Sequence, residues 1–402
     1  MTLNFAKRVS NLKASEIREI LKVTQRPEVI SFAGGLPAPE LFPIDAIKEV
    51  NRIVLEESGE KALQYTTTEG FAPLRKWIAE RMNKRLATSF DKDNILITHG
   101  SQQALDISGK VFLDEGDTVL CESPTYLAAI SAFRAYGCNF KEVPTDDNGM
   151  IPGELESLLK EDANDKTNPK RIKLIYAIPE FQNPSGRTWS KERREALAKI
   201  SREYNVAVLE DNPYGELRFE GESLPSIKSF DTEGNILCTG SFSKIFCPGY
   251  RIGWIAGDKE IINKYVLVKQ GTDLQCNTIA QMEIAKYLEL YSIDLHIEQI
   301  IKTYRSRRDI AIQTMENEFP ANTIFTRPQG GLFTWVTLPE EVNSREVLTK
   351  SLEQNIAFVP GGSFFPNGGH ENTFRLNFSN MPEERIIEGL TKLGKVLKTF
   401  IS

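Results

Sequence analysis

The segment GSFSKIFCPGYRIGW, residues 240–254, sets one lysine, Lys244, among small hydroxyl residues. Ser241 and Ser243 precede it, and Arg251 follows seven residues on. An amine taken out of water there is a candidate nucleophile and base. Left on a surface loop, it is an ordinary exposed lysine. Other segments carry complementary groups. His99, Gly100, Ser101 and Gln102 open a helical pattern. A helix N-terminus offers an anion unpaired N–H donors and partial positive charge. Ser241, Ser243 and the forked cation of Arg251 suit a phosphate monoester. Asp211, in EDNPY, supplies a carboxylate for a cationic ring nitrogen, and QNPSG adds Asn183. Each set also has a plainer reading: Ser101 as a helix cap, the two Pro-containing segments as turns.

A phosphate cup, an acid for a pyridinium and an amine that condenses with an aldehyde together describe one cofactor, pyridoxal 5′-phosphate. Rival motifs do not fit. The chain has no G-x-G-x-x-G, and GSQQALDISGKV lacks the phosphate-loop spacing. Ser241 and Lys244 match S-x-x-K, but the S-D-N and K-T-G companions of that motif are absent.

The elements that must position these groups are legible from periodicity. Short apolar runs read as strands: NILIT (94–98), DTVLCE (117–122), KLIYAI (173–178), NVAVLE (205–210), NILCTG (235–240) and RIGWIAG (251–257). Helical patterns lie between most of them, at 101–113, 124–136 and 190–204. This alternation predicts an α/β fold with a mostly parallel sheet covered by helices on both faces. In such sheets ligands bind beyond the carboxyl ends of the strands, where all the polar sets fall. Ile47, Val50 and Val54 mark an earlier helix. A long helical stretch covers about 258–318, with a break near Tyr291. Strand-like GLFTWVTL and TFRLNFS follow, and a final helix carries Ile386, Leu390, Leu393, Leu397 and Phe400 on one stripe. The expected division is a large domain over 46–290 and a smaller α+β domain from 1–45 and 291–402.

Composition narrows the function classes. A chain of 402 residues with net charge -6 lacks the basic excess of a nucleic-acid binder. The basic clusters KERR (191–194) and RSRR (305–308) read as solvated faces. Five cysteines without a C-x-x-C read as reduced thiols, and three scattered histidines argue against a histidine-rich metal site. No apolar run approaches the ~20 residues of a membrane span, and the N-terminus shows no signal-peptide core. A cytoplasmic protein without nucleic-acid or membrane partners is expected.

The ordered series SFAGGLPAPELFP, LQYTTTEG, THGSQQALD, ESPTY, PEFQNPSG, EDNPYGEL, GSFSKIFCPGYRIGW, VPGGSFF and FRLNFS resembles class I/II aminotransferases of the fold-type I pyridoxal-phosphate superfamily. It is most similar to the 2-aminoadipate/kynurenine subgroup. The resemblance implies a seven-stranded-type large-domain sheet and transfer of an amino group from an L-amino acid to a 2-oxo acid such as 2-oxoglutarate. It implies that Lys244 holds the cofactor covalently, Asp211 pairs with its ring nitrogen, and Asn183 and Tyr214 bind its phenolic oxygen. Tyr126 would stack on the ring. Ser101, Gln102, Ser241, Ser243 and Arg251 would hold the phosphate, with Tyr65 reaching in from a second subunit of a homodimer. Arg375 would clamp the substrate α-carboxylate, Gly35 would line the substrate pocket, and Arg18 would help recognise the side chain. Without the resemblance, Arg375 reads equally well as an outward strand arginine, and Tyr126 as packing. Ser185 stands where the family usually has threonine. Rival readings are a β-lyase using the same site and a ligand-sensing domain of a transcription regulator.

Overall fold

The structure, a computed structural model, describes residues 3, 5–10, 26–167, 169 and 171–401. Its centre is a seven-stranded sheet: β1 (Ile95–Thr98), β2 (Thr118–Glu122), β3 (Asn139–Val143), β4 (Ile172–Ala177), β5 (Ala207–Asp211), β6 (Ile236–Ser241) and β7 (Gly253–Ala256). The spatial order is β1-β7-β6-β5-β4-β2-β3. Six strands are the apolar runs of the sequence. The seventh, β3, has the sequence NFKEV and only one buried residue, so no apolar run marks it. Short charged strands are usual at sheet edges, where they discourage pairing with other chains.

All neighbours are parallel except β7, which is antiparallel to both β1 and β6. A parallel connection needs a crossover, usually a helix. The link 242–252 contains only a short 3₁₀ turn, Pro248–Tyr250, so the chain turns straight back. Ser241 therefore pairs with Gly253, and Gly253 also pairs with Thr98. The end of β6, the start of β7 and the end of β1 all meet at one sheet edge.

Side chains alternate across the sheet. Leu174, Tyr176 and Leu209 pack with Ala104, Leu105, Ile107 and Tyr265. Those residues belong to helices α3 (Gly100–Phe112) and α7 (Lys259–Gln270), with Phe133 of α4 (Leu127–Arg134) beside them. Ile175, Ala177 and Val208 face the other way, against α5 (Pro152–Asn164) and α6 (Lys191–Tyr204). Helices α1 (Ile44–Ala62) and α2 (Ala72–Leu86) precede the sheet. The expected long helical stretch is three helices: α7, α8 (Thr278–Leu290) and α9 (Ile293–Glu318). The break at Tyr291 is present. A second break at 271–277 begins at Gly271 and ends at Asn277, whose side chain caps α8 by accepting from the Ala280 N–H.

The C-terminal third forms a four-stranded sheet of β8 (Ile324–Phe325), β9 (Phe333–Thr337), β10 (Val359–Pro360) and β11 (Thr373–Asn377), in the order β8-β9-β11-β10. Helices α10 (Ser344–Glu353) and α11 (Glu383–Leu397) accompany it. On α11 the stripe Ile386, Leu390, Leu393 and Leu397 is buried, while Phe400 lies beyond the helix and is half-buried. The N-terminal segment joins this sheet region: Ile30–Ser31 pairs in parallel with Ile356–Ala357, and the Asn377 N–H donates to the Phe32 carbonyl.

The basic clusters are solvated only in part: Lys191 and Arg305 are exposed, but Arg194, Arg307 and Arg308 are not. Arg194 is fully buried and donates to Glu180 at 2.8 Å and to the carbonyls of Pro179, Trp189 and Pro225. Arg307 and Arg308 are also buried, paired with Glu40 and Glu220. A helix that looks charged on all sides can still bury an arginine when distant carboxylates and carbonyls satisfy its fork. Removing one partner of such a pair leaves a buried charge uncompensated. Arg194→Ala should therefore cost roughly 3 kcal/mol or more of unfolding free energy in urea titrations. A loss below about 1 kcal/mol would mean that the pair is solvated.

Candidate active site

The sheet edge described above opens into a cavity of about 410 Å³ between the two sheets. Its walls include Ser101 and Gln102 from α3, Tyr126 before α4, Asn183 after β4, and Asp211 and Tyr214 at and after β5. Ser241, Ser243, Lys244 and Arg251 enter from the β6–β7 link, Arg375 from β11 and Gly35 from the N-terminal segment. Twelve of the fourteen residues singled out in the sequence thus line one cavity. Tyr65 does not; it is 77% exposed on the surface. Arg18 lies outside the described residues.

Lys244 is half-buried, and its Nζ donates to the Gly35 carbonyl at 2.6 Å. Burial, with Arg375 and Arg251 nearby, pulls its pKa down from 10.5 to about 8. Asp211 is buried, and burial pushes its carboxyl up to about 7. Its Oδ2 accepts from the Tyr176 hydroxyl at 2.7 Å, while Oδ1 is buried without a partner. Arg375 is buried, and burial lowers its guanidinium to about 10. Its Nη1 donates to Asn183 Oδ1 at 2.8 Å and its Nη2 to the Ala33 carbonyl at 2.5 Å. The rings of Phe333 and Phe364 lie 4.2 and 5.1 Å from the guanidinium carbon. The Asn183 amide in turn donates to the Tyr214 hydroxyl at 3.3 Å.

At the other end, the Ser241 hydroxyl donates to Ser243 Oγ at 2.8 Å and accepts from the Ser243 N–H at 3.0 Å. Among the described residues, the Arg251 side chain donates only to the carbonyls of His99 and Pro248. Ser101 is not the cap of α3: the helix begins at Gly100, and His99 holds the cap position. Gly100 has φ +68°, and a Cβ there would stand 2.6 Å from Arg251 Nη2. Only glycine lets the guanidinium lie against this helix terminus. Behind it, the Lys269 ammonium sits on Asp273 at 2.8 Å, beside His99 and Cys276.

The cavity is electrostatically unbalanced. Lys244, Arg251 and Arg375 line it against a single carboxylate, Asp211. None of the three cations makes an ion pair among the described residues. Arg375 is buried and Lys244 half-buried, while Arg251 is exposed; charge held out of water calls for a counter-ion, and the three cations together suit a ligand set with two anionic groups. The orphaned Asp211 oxygen fits a cationic N–H, and the amine with lowered pKa fits an aldehyde. The residues present therefore fit pyridoxal phosphate and an amino-acid carboxylate. Sequence reasoning missed Tyr176, hidden inside an apolar strand run, and the Ala33 carbonyl, which no side-chain pattern can mark. Phe333 and Phe364 were also missed, because aromatics in strands read as core.

The family model for class I and II aminotransferases matches residues 28–393, and the chain belongs to that family. Its cofactor is pyridoxal phosphate, and its reaction is amino-acid transamination. The chain is 45% identical to aromatic-amino-acid aminotransferase 1 of Thermococcus litoralis, over 98% of this chain and 94% of that one. It is 41% identical to the 2-aminoadipate transaminase of Thermus thermophilus, over 99% and 97%. The crystal structure of Pyrococcus horikoshii kynurenine aminotransferase in complex with PMP superposes with a TM-score of 0.94 at 42% identity, covering 99% and 98%.

Lys244 attacks an aldehyde only as the free amine. A lowered pKa makes that form available at lower pH. Covalent uptake of pyridoxal phosphate by apoprotein should accelerate with pH and level off above about 8, read by stopped-flow absorbance. An amine at its ordinary value would keep gaining rate towards 10.5.

Proposed function

We propose that this aminotransferase takes the amino group from L-amino acids with aromatic or long apolar side chains and passes it to a 2-oxo acid such as 2-oxoglutarate. The observation that carries the assignment of roles is the convergence of Lys244, Asp211 with one free oxygen, and Arg375 without a counter-ion on one cavity. When bound, pyridoxal phosphate supplies an aldehyde for the amine and a cationic ring that draws electrons from the donor's Cα.

The chain's own residues do the rest. Ser101, Gln102, Ser241, Ser243, Arg251 and the N–H groups opening α3 bind the phosphate. Asp211 Oδ1 holds the proton on the ring nitrogen, because an adjacent carboxylate favours the cationic form. Asn183 and Tyr214 donate to the phenolic oxygen, and Tyr126 covers the ring. Arg375 grips the donor's α-carboxylate and so fixes which Cα bond faces Lys244. Lys244 Nζ takes the Cα proton as base and holds it for return as acid.

Three features support the side-chain preference. Tyr126, Leu127, Ile178 and Phe333 form the apolar part of the wall. Beyond Lys244, Arg251 and Arg375, no other cation among the described residues lines it. The relative named for aromatic amino acids is 45% identical. An acidic donor would depend on Arg18. We further propose a homodimer in which Tyr65 reaches the partner's phosphate site. Its exposure, next to exposed Leu63, supports this. The large domain over 46–290 and the smaller one from the two ends would then close over the donor.

Lys244→Ala should lower turnover by more than about 10²-fold and abolish the visible absorbance of covalently held cofactor, with the circular dichroism unchanged. Arg375→Ala should lower kcat/KM by about a hundredfold for every donor alike, since the carboxylate is common to all. A loss confined to one donor would reject the clamp. In a donor panel with 2-oxoglutarate, phenylalanine and tyrosine should exceed aspartate in kcat/KM by at least about tenfold. A preference for 2-aminoadipate would shift side-chain recognition to Arg18.

A further inference from the structure

Tyr176 sits inside β4 and is almost wholly inaccessible. Its ring packs edge-on against Phe133, with centroids 5.8 Å apart. A phenylalanine would fill that space equally well, so the hydroxyl is what needs a reason. A buried phenol requires a hydrogen-bond partner, and among the described residues its partner is Asp211 Oδ2, at 2.7 Å. The sheet register makes the contact. Tyr176 pairs with Leu209 on the neighbouring parallel strand, and Asp211 lies two residues further along the same face. The phenol therefore reaches up the face to the acid at the strand's end.

The contact has two consequences. It commits one carboxylate oxygen and leaves Oδ1, buried and unpartnered, as the one free to receive a ligand. It also gives the carboxylate a donor where burial alone favours the neutral acid. A neutral acid has no charge with which to stabilise a pyridinium.

We infer that Tyr176 is a positioning residue that fixes the orientation and negative charge of Asp211, and through it the proton on the cofactor's ring nitrogen. This rests on the reading of Asp211 given above. Tyr176 is not among the residues that line the cavity, so it would act through Asp211.

The test uses holoenzyme loaded with pyridoxal phosphate labelled with ¹⁵N in the ring. The nitrogen chemical shift reports protonation directly, and a purely structural role would not move it. In wild type the shift should be that of a protonated pyridine. In Tyr176→Phe it should move towards the unprotonated value, and in Asp211→Ala it should move fully. Tyr176→Phe should also lower kcat by about tenfold, as expected for losing a hydrogen bond to a charged group, with KM for the donor changed less than about twofold. Dissociation of the cofactor, followed after reduction-free dialysis, should quicken by a similar factor. A wild-type nitrogen shift in Tyr176→Phe, with Asp211→Ala displaced, would overturn the role of Tyr176 alone. A wild-type shift in Asp211→Ala would overturn the reading of Asp211 and this inference with it. Should Tyr176→Phe unfold, Tyr176→His, which keeps an N–H donor, takes its place. An unprotonated ring in that variant despite a retained fold would count against hydrogen-bond donation as the cause.

Discussion

One carboxylate facing three cations in a single cavity is the constraint on which the rest of the site depends. Asp211 cannot neutralise Lys244, Arg251 and Arg375 together, and no other acid among the described residues lines the wall. The protein thus keeps unspent attraction for anions at two points some way apart. Part of the same imbalance sets the amine: Arg375 and Arg251 help hold Lys244 below its ordinary range. Burial lowers the lysine most, but the cations that attract phosphate and carboxylate add to the effect. Adding an acid near Arg375 would weaken both the attraction and the shift.

The geometry that gathers these charges comes from a topological exception. In a wholly parallel sheet, the chain leaving β6 would return from the opposite edge. Because β7 runs back beside β6, the link 242–252 begins and ends at the ligand edge. Lys244 and Arg251 then approach the same space from one short segment. The antiparallel pairing of β7 with β1 brings the start of α3 alongside, and Gly100 lets Arg251 press against it. The phosphate end of the site is therefore built from three neighbouring chain segments, and the ring end from β4 and β5.

Much of this was legible in the sequence, for a physical reason. The strands are buried on both faces and appear as apolar runs, and the polar residues that end them stand out by contrast. Lys244, Asp211, Asn183 and Ser241 could be placed at one edge by that logic alone. Arg375 could not. It lies inside a strand whose alternation allows either face, and only the resemblance assigned it. The edge strand β3 was invisible because NFKEV lacks an apolar run. The break at 271–277 was hidden by helical patterns on both sides of it. Arg194, Arg307 and Arg308 were misread because their partners Glu180, Glu40 and Glu220 lie far away along the chain or across a loop. Charge pattern along a helix reports composition, and burial is decided by what packs on it. Tyr176 was illegible for a related reason: its phenol matters only because of a cross-strand neighbour.

The N-terminal segment closes the site through its backbone. The Ala33 carbonyl accepts from Arg375, the Phe32 carbonyl from the Asn377 N–H, the Gly35 carbonyl from Lys244 and the Leu36 carbonyl from Ser379. Residues near position 33 must wait for residues near position 375. During translation the Ala33 carbonyl has no partner until some 340 further residues have emerged. The nascent chain can lay down its central sheet early, yet the site stays incomplete until the strand that carries Arg375 has emerged. A ribosome stalled before that strand would carry a chain whose Ala33 carbonyl still lacks its arginine.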